Sequence, residues 1–295
     1  MSEILEDKAQ HEFEFSTKDF DRVKSLIYER AGISLNSSKR TMVYSRLARR
    51  LRVLGIGSFS SYLDKLESGL IDEWEHFINA LTTNLTSFYR ESHHFEVLAD
   101  LLKTAPRGQT TNIWCSAAST GEEPYTLAIT ALEVFGKNPP VRILATDIDT
   151  NVLTKANQGV YDEAGMEKVP SQIIEKYFLK GKNANAGKVM VRPEVKELIT
   201  FKQLNLLSPS WPMRGPFQVI FCRNVMIYFD KPTQRKILEK MAPLFTADGR
   251  LFAGHSESFA FARDLFDLQE KTVYQLSDEY LNRFHQDAKR LRKMA

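Results

Sequence analysis

The sequence predicts an α/β protein in two parts, an all-helical N-terminal domain and a larger domain built on a parallel sheet. Three observations carry this. Through residues 16–105 apolar side chains recur only at helical spacing. From residue 111 onward short apolar strands alternate with helices, the pattern of a parallel sheet covered on both faces. The length of 295 residues fits two domains at about 150 residues each.

The helical part begins at Ser16, an N-cap residue ahead of Phe20, Val23 and Ile27, and its first helix stops at Gly32. A second helix over about 38–53 follows the stripe Val43, Leu47, Leu51 and Leu54. Arg46 and Arg49 lie off that stripe and are expected to face outward. Lys39 and Arg50 lie on its flank, where a long stem still carries the charge to water. Shorter helices are expected near 58–68 and 72–83.

The second part opens with the strand Thr111–Cys115 and the small-residue turn Ser116–Gly121. A helix from Glu122 to about Phe135 is broken by Gly136 and the pair Pro139-Pro140. The strand Val141–Thr146 ends in Asp147, and another helix starts near Asp149. Later strands are Phe201–Leu204, Phe217–Cys222 and Arg250–Ala253, the last two separated by a helix over about 232–245. Thr272–Leu276 closes the series. Residues 160–200 interrupt the alternation with Gly165, Gly181 and Gly187 around a hairpin at Lys188–Arg192, and read as a small β insertion at the sheet's edge. The expected divisions are an acidic tail at 1–15, the helical domain at 16–85, the α/β domain at 86–285 and a basic tail at 286–295.

Composition narrows the class. With 43% hydrophobic and 26% charged residues the chain is of the folded globular kind. No stretch approaches the ~20 apolar residues of a membrane span. The first residues lack the apolar core of a secretion signal, and two cysteines make no disulfide scaffold. A cytoplasmic protein is expected. The net charge of +3 conceals local asymmetry, because Lys39, Arg40, Arg46, Arg49, Arg50 and Arg52 fall within 39–52 with no acid among them. Such a cluster points to an acidic partner surface.

In open α/β sheets ligands bind outside the carboxyl ends of the strands. Here those ends carry Ser116–Glu122, Asp147, Asn205-Leu206 and Arg223-Asn224. A turn of small residues lets a ligand approach the backbone, and an acid after the second strand suits the two hydroxyls of a ribose. The pattern describes a nucleoside-bearing cofactor. Neither a G-x-G-x-x-G nor a G-x-x-x-x-G-K-[ST] motif occurs, which disfavours dinucleotides and phosphate-loop chemistry. S-adenosylmethionine fits, being a nucleoside that carries an amino acid and a sulfonium. His93, His94 and His255 lack partners at metal-ligand spacing, so no metal is expected. Cys115 and Cys222 end strands and read as buried small hydrophobes.

Six segments then carry a resemblance. They are Thr83–Glu91 (TNLTSFYRE), Cys115–Tyr125 (CSAASTGEEPY), Ala145–Asp149 (ATDID), Asn205–Leu207 (NLL), Phe221–Asp230 (FCRNVMIYFD) and Phe252–Ser258 (FAGHSES). In this order the chain resembles the CheR family, the chemoreceptor glutamate O-methyltransferases of bacterial chemotaxis, over about residues 15–280. The resemblance implies a class I (Rossmann-like) S-adenosylmethionine methyltransferase sheet with a helical N-terminal domain and a small β-subdomain. It implies methyl transfer to receptor glutamates, giving glutamate methyl esters and S-adenosylhomocysteine.

The matching residues take implied roles. Arg90 and Tyr228 would line the reactive centre, with Arg90 also near the cofactor. Asn84 and Thr86 would bind the cofactor, Glu122 its ammonium and Asp147 its ribose. Asn205 and Leu206 would flank the adenine, and Arg223 and Asn224 would close the wall. Glu123 competes with Glu122 for the ammonium; Pro124 is expected to keep Glu123 extended, which favours Glu122.

Lys39, Arg46, Arg49 and Arg50 would meet the acidic methylation helices of the receptor. In some members the β-subdomain takes a receptor C-terminal peptide by strand addition. The loop Gly181–Gly187 has glycine only at its two ends, where peptide-docking members tend to have a third, which leaves that docking open. Two alternatives stand beside this reading, a nucleic-acid methyltransferase and an inactive receptor-binding adaptor. The first is opposed by Cys222–Val225, where a base N-methyltransferase carries D/N-P-P-Y/F. Neither nucleic-acid binding nor membrane insertion is expected.

Overall fold

A computed structural model describes residues 12–106 and 108–284. Of the expected tails, 286–295 and 1–11 lie outside the described residues. The chain divides into two compact units. One holds the described residues up to Thr83 together with Tyr228–Asp230, and the other holds Asn84–Ile227 and the described residues from Lys231 onward.

In the helical unit α1 (Thr17–Ala31) starts at Ser16, whose hydroxyl accepts from Asp19 N while Asp19 reaches back to Ser16 N. This reciprocal cap satisfies two orphan donors of the first turn. Gly32 ends the helix in the left-handed conformation at φ 68°. A 3-10 turn, Ser37–Lys39, leads into α2 (Arg40–Leu54). Next come α3 (Phe59–Glu67) and α4 (Trp74–Leu81). Val23, Ile27, Val43, Leu47, Leu51, Phe59, Leu63 and Phe77 are wholly buried in this unit's core. Burying each such side chain contributes roughly 1.5–3 kcal/mol.

The second unit begins with α5 (His93–Thr104) and continues through β1 (Thr111–Cys115), α6 (Glu122–Phe135), β2 (Val141–Asp147) and α7 (Thr150–Gln158). The insertion follows as β3 (Val160–Asp162), α8 (Ser171–Tyr177), β4 (Phe178–Lys180) and β5 (Lys188–Val191). Then come α9 (Pro193–Lys196), β6 (Ile199–Gln203), β7 (Phe217–Cys222), α10 (Lys231–Met241), β8 (Phe245–Ala253), β9 (Phe266–Glu270) and β10 (Val273–Leu276).

Seven strands form one sheet in the order β6-β2-β1-β7-β8-β10-β9. β6, β2, β1, β7 and β8 are parallel neighbours, registered Ile113 to Ile143 and Val219. The expected parallel sheet is formed by these five strands, and at one end β10 runs antiparallel to both β8 and β9. β8 also starts at Phe245, earlier than the expected Arg250, because α10 ends at Met241. The insertion forms its own antiparallel sheet, ordered β3-β5-β4. Among the described residues no helix is long and apolar enough to cross a membrane.

Candidate active site

The loops after β1, β2, β6 and β7 are joined by hydrogen bonds into one rim. After β1 the chain takes left-handed backbone at Ser119 (φ 47°) and Gly121 (φ 100°). Ser119 N donates to one oxygen of Asp147 at 2.8 Å, and Asp149 N donates to the other at 3.0 Å. Each carboxylate oxygen keeps further lone-pair capacity, so Asp147 can still accept two hydroxyls. Burial pushes its pKa up to about 6 against the pull of those two N–H groups.

Gly121 is required by space as well as by φ. A Cβ there would stand 2.8 Å from Tyr161 Oη and 2.9 Å from Ala156 Cβ. The Tyr161 hydroxyl, on β3 of the small sheet, donates to Thr120 O at 2.7 Å and props the turn.

Glu122 opens α6 and accepts the Thr120 hydroxyl at 2.7 Å. Burial pushes its pKa up, and among the described residues no ion pair reaches it. Glu123 is helical rather than extended, a correction with a simple cause: Pro124 falls in the first turn, where a missing N–H costs no bond. The Glu123 carboxylate is already engaged by Arg223 at 2.7 Å and by the Cys115 thiol at 3.3 Å. Of the two acids, Glu122 is therefore the one with no cation partner among the described residues.

Arg223 also departs from expectation. Its side chain has no exposed surface and pairs with Glu123 at 2.7 Å and Glu91 at 3.2 Å. It donates to Arg90 O as well. Two carboxylates and a carbonyl engage its guanidinium, so it braces the wall from within the protein.

The segment 84–92 borders the rim. Asn84 Nδ2 donates to Asp149 at 2.9 Å, and Asp149 in turn caps α7 through Asn151 N and Val152 N. Ser119 Oγ donates to Asn84 O at 3.2 Å. Thr86 is half-buried. Arg90 Nη1 donates to Leu85 O at 2.8 Å, and the Arg90 side chain is 33% exposed. Tyr89 (φ 53°) and Glu91 (φ 56°) flank it in left-handed backbone, as does Asn224 (φ 57°) across the rim. Such conformations cost on the order of 1–3 kcal/mol each and gather at functional sites.

Leu204 N donates to Asp147 O at 2.9 Å and ties the end of β6 to that of β2. Asn205 then accepts from Leu207 N at 2.9 Å, and Leu206 is buried. Asn224 Nδ2 donates to Glu91 at 3.3 Å. Glu257, to which the sequence pattern gave no role, accepts from Gly254 N, Asn224 N, Val225 N and Met226 N at 2.6–3.0 Å. It clamps the ends of β7 and β8 together.

Tyr228 clusters with the helical unit. Its carbonyl accepts from Ser34 N at 2.9 Å and its hydroxyl donates to Thr83 O at 3.4 Å. His94 is wholly buried, 3.0 Å from Thr272 Oγ1, and burial with the nearby Arg223 charge pushes its pKa down to about 3. Among the described residues no three His, Cys, Asp or Glu side chains are grouped to hold a metal ion. Cys115 and Cys222 are free and buried, and burial raises both thiol pKa values.

On α2 the four basic candidates divide. Lys39 and Arg49 are exposed. Arg46 does not face outward as expected: it donates to Ala80 O at 3.2 Å and to Thr82 O, serving the open carbonyls at the end of α4. Arg50 holds the buried Glu73 in a fork at 2.6 and 3.1 Å. A buried carboxylate requires such a partner.

The sheet and this rim define a Rossmann-like, S-adenosylmethionine-dependent methyltransferase. The residues suit that cofactor, with a half-buried acid at Glu122 that has no cation partner among the described residues, an acid with spare acceptor capacity at Asp147, and a turn open enough only for glycine at Gly121. The chain belongs to the CheR methyltransferase family, matching its SAM binding domain over residues 84–275 and its all-alpha domain over 18–82. It is 50% identical over 267 residues to chemotaxis protein methyltransferase 2 of Pseudomonas aeruginosa, covering 89% of this chain and 94% of that one. It is 48% identical over 266 residues to the chemotaxis protein methyltransferase of Escherichia coli, covering 90% of this chain and 92% of that one.

Proposed function

We propose that this protein transfers the methyl group of S-adenosylmethionine to glutamate side chains of bacterial chemoreceptors, in the cytoplasm. A carboxylate oxygen forms a bond to the methyl carbon as the sulfonium–carbon bond breaks. The bonding pair stays on sulfur, leaving S-adenosylhomocysteine and a glutamate methyl ester. A free glutamate has a pKa of about 4.3, so the nucleophile is already ionised and needs no general base. The protein's task is alignment, with reacting atoms about 3–3.5 Å apart.

Glu122 takes the cofactor ammonium and Asp147 the ribose hydroxyls. Thr86, Asn205 and Leu206 complete that pocket, and Asn84 and Asn224 hold its borders. Arg90 orients the substrate carboxylate through its planar fork, and the family resemblance assigns Tyr228 to the reaction as well. Lys39 and Arg49 meet the acidic methylation helices. β3 and β4 are the outer strands of the small sheet, the arrangement that strand addition of a receptor C-terminal peptide uses. The nucleic-acid alternative loses support, because Arg46 and Arg50 are spent on Ala80, Thr82 and Glu73 inside the helical unit.

One observation carries the reading: half-buried Glu122 and buried Asp147, two acids with no cation partner among the described residues, stand on one rim of a family-matched fold. The test is transfer of tritiated methyl to receptor membranes, followed by alkali. Label released as methanol supports a carboxyl ester, whereas alkali-stable label overturns the glutamate assignment.

A further inference from the structure

Glu91 has no part in the roles above, yet it sits at the junction of the segment that carries Arg90. Its side chain is only 10% exposed, and its Oε2 lies 3.2 Å from Arg223 Nη2. The same Nη2 donates to the main-chain oxygen of Arg90. The other oxygen of Glu91 accepts from Asn224 Nδ2 at 3.3 Å. The direct approach to Arg90 is longer, 4.0 Å to Nε, so Glu91 does not grip that guanidinium itself.

Backbone conformation makes this link matter. Arg90 stands between two left-handed residues, Tyr89 and Glu91. Non-glycine residues stay there only when their surroundings over-determine them. Tyr89 is held by Thr126 Oγ1, 3.4 Å from its amide nitrogen, and by its ring against Phe95. At Glu91 the ion pair with Arg223 supplies the corresponding hold. Burial alone would push the Glu91 pKa up, but the Arg223 charge and the bond from Asn224 bring it below the ordinary value. The carboxylate is therefore ionised at neutral pH.

We propose that Glu91 is a positioning residue for methyl transfer: through Arg223 it fixes the main chain from which the Arg90 guanidinium reaches the substrate carboxylate. The inference rests on the proposed function, since it needs Arg90 to act on the acceptor.

The test is a double-mutant cycle in the full-length chain. Tritiated methyl transfer to receptor membranes is read under single-turnover conditions. Each rate is normalised to the sites that bind S-adenosylhomocysteine by calorimetry, so that misfolded protein does not count. Glu91→Gln keeps the shape and removes the charge. It should lower the rate about 10–100-fold while leaving the receptor KM within about twofold. In an Arg90→Ala background the same change should add less than about twofold, because the residue through which it acts is gone. An unchanged rate, or an equal loss in both backgrounds, overturns the proposal. Should Glu91→Gln yield no folded protein, Glu91→Asp, shorter by one methylene but charged, takes its place in the cycle. A loss confined to the Arg90 background then supports the proposal, and an unchanged rate or an equal loss in both overturns it. Absence of transfer by the wild-type chain would count against the proposed function instead, so the two failures are distinguishable.

Discussion

The amide nitrogen of Ser119 donates to the carboxylate of Asp147 at 2.8 Å, so the acid at the end of β2 holds the turn that follows β1. One residue thereby shapes the turn and, in the proposed function, offers acceptor oxygens to a ribose. Its pKa of about 6, raised by burial, makes both jobs pH-dependent. Cofactor binding favours the ionised form, so affinity is full above about pH 6 and falls about tenfold per unit well below it. Folding of the free protein responds with the opposite sign. An acid raised above its unfolded pKa contributes stability at low pH that is lost as pH rises through about 6. Calorimetry with S-adenosylhomocysteine from about pH 5 to about pH 8 should show the first trend, and Asp147→Asn should flatten it.

Of the adjacent acids Glu122 and Glu123, Glu122→Gln removes the one that has no cation partner among the described residues. The expected result is S-adenosylhomocysteine binding weaker by roughly 10–100-fold, in keeping with loss of a charge-assisted bond worth about 1.5–3 kcal/mol. Glu123→Gln should act differently, lowering thermal stability because Arg223 loses a buried partner. Equal effects of both changes on cofactor affinity would show the ammonium assignment to be wrong.

Gly121→Ala meets two obstacles, a φ of 100° and a Cβ about to strike Tyr161 Oη and Ala156. We expect a loss of about 1–3 kcal/mol in denaturant unfolding. Tyr161→Phe in the same background should relieve part of it by removing the nearest atom.

Arg90→Ala should reduce methyl transfer at least about hundredfold with little change in melting temperature, since the side chain is partly exposed and its bond to Leu85 O is a local one. Transfer at the wild-type rate would remove Arg90 from the reaction.

The basic face of α2 calls for a divided test. Lys39→Glu with Arg49→Glu should weaken receptor methylation and reduce its salt dependence, leaving cofactor affinity unchanged. Arg50→Glu should instead destabilise the helical unit, because it sets two carboxylates together at the buried Glu73. Melting curves and methylation rates, measured side by side, separate the two outcomes.

Much of this was legible in the sequence. A turn of small residues followed by an acid one strand later is a local signal, and Ser116–Glu122 and Asp147 carried it plainly. β9 left no such trace: of Phe266–Glu270 only Phe266 is buried, so the strand reads as polar loop. The burial of Arg223 left no local trace, because its partner Glu123 is 100 residues away. Glu257 likewise serves amides from a different strand end. Helical spacing set Arg46 on the outer face of its own helix, yet it could not foresee the open end of α4 arriving beside it.

The phenol of Tyr161 bears on any attempt to exchange the insertion between relatives. Its hydroxyl is the donor for Thr120 O at 2.7 Å. A transplanted hairpin without a phenol there would leave that carbonyl bare and loosen the turn after β1. Chimaeras built to alter receptor choice must carry this tyrosine across, or their catalytic defects will be mistaken for defects of recognition.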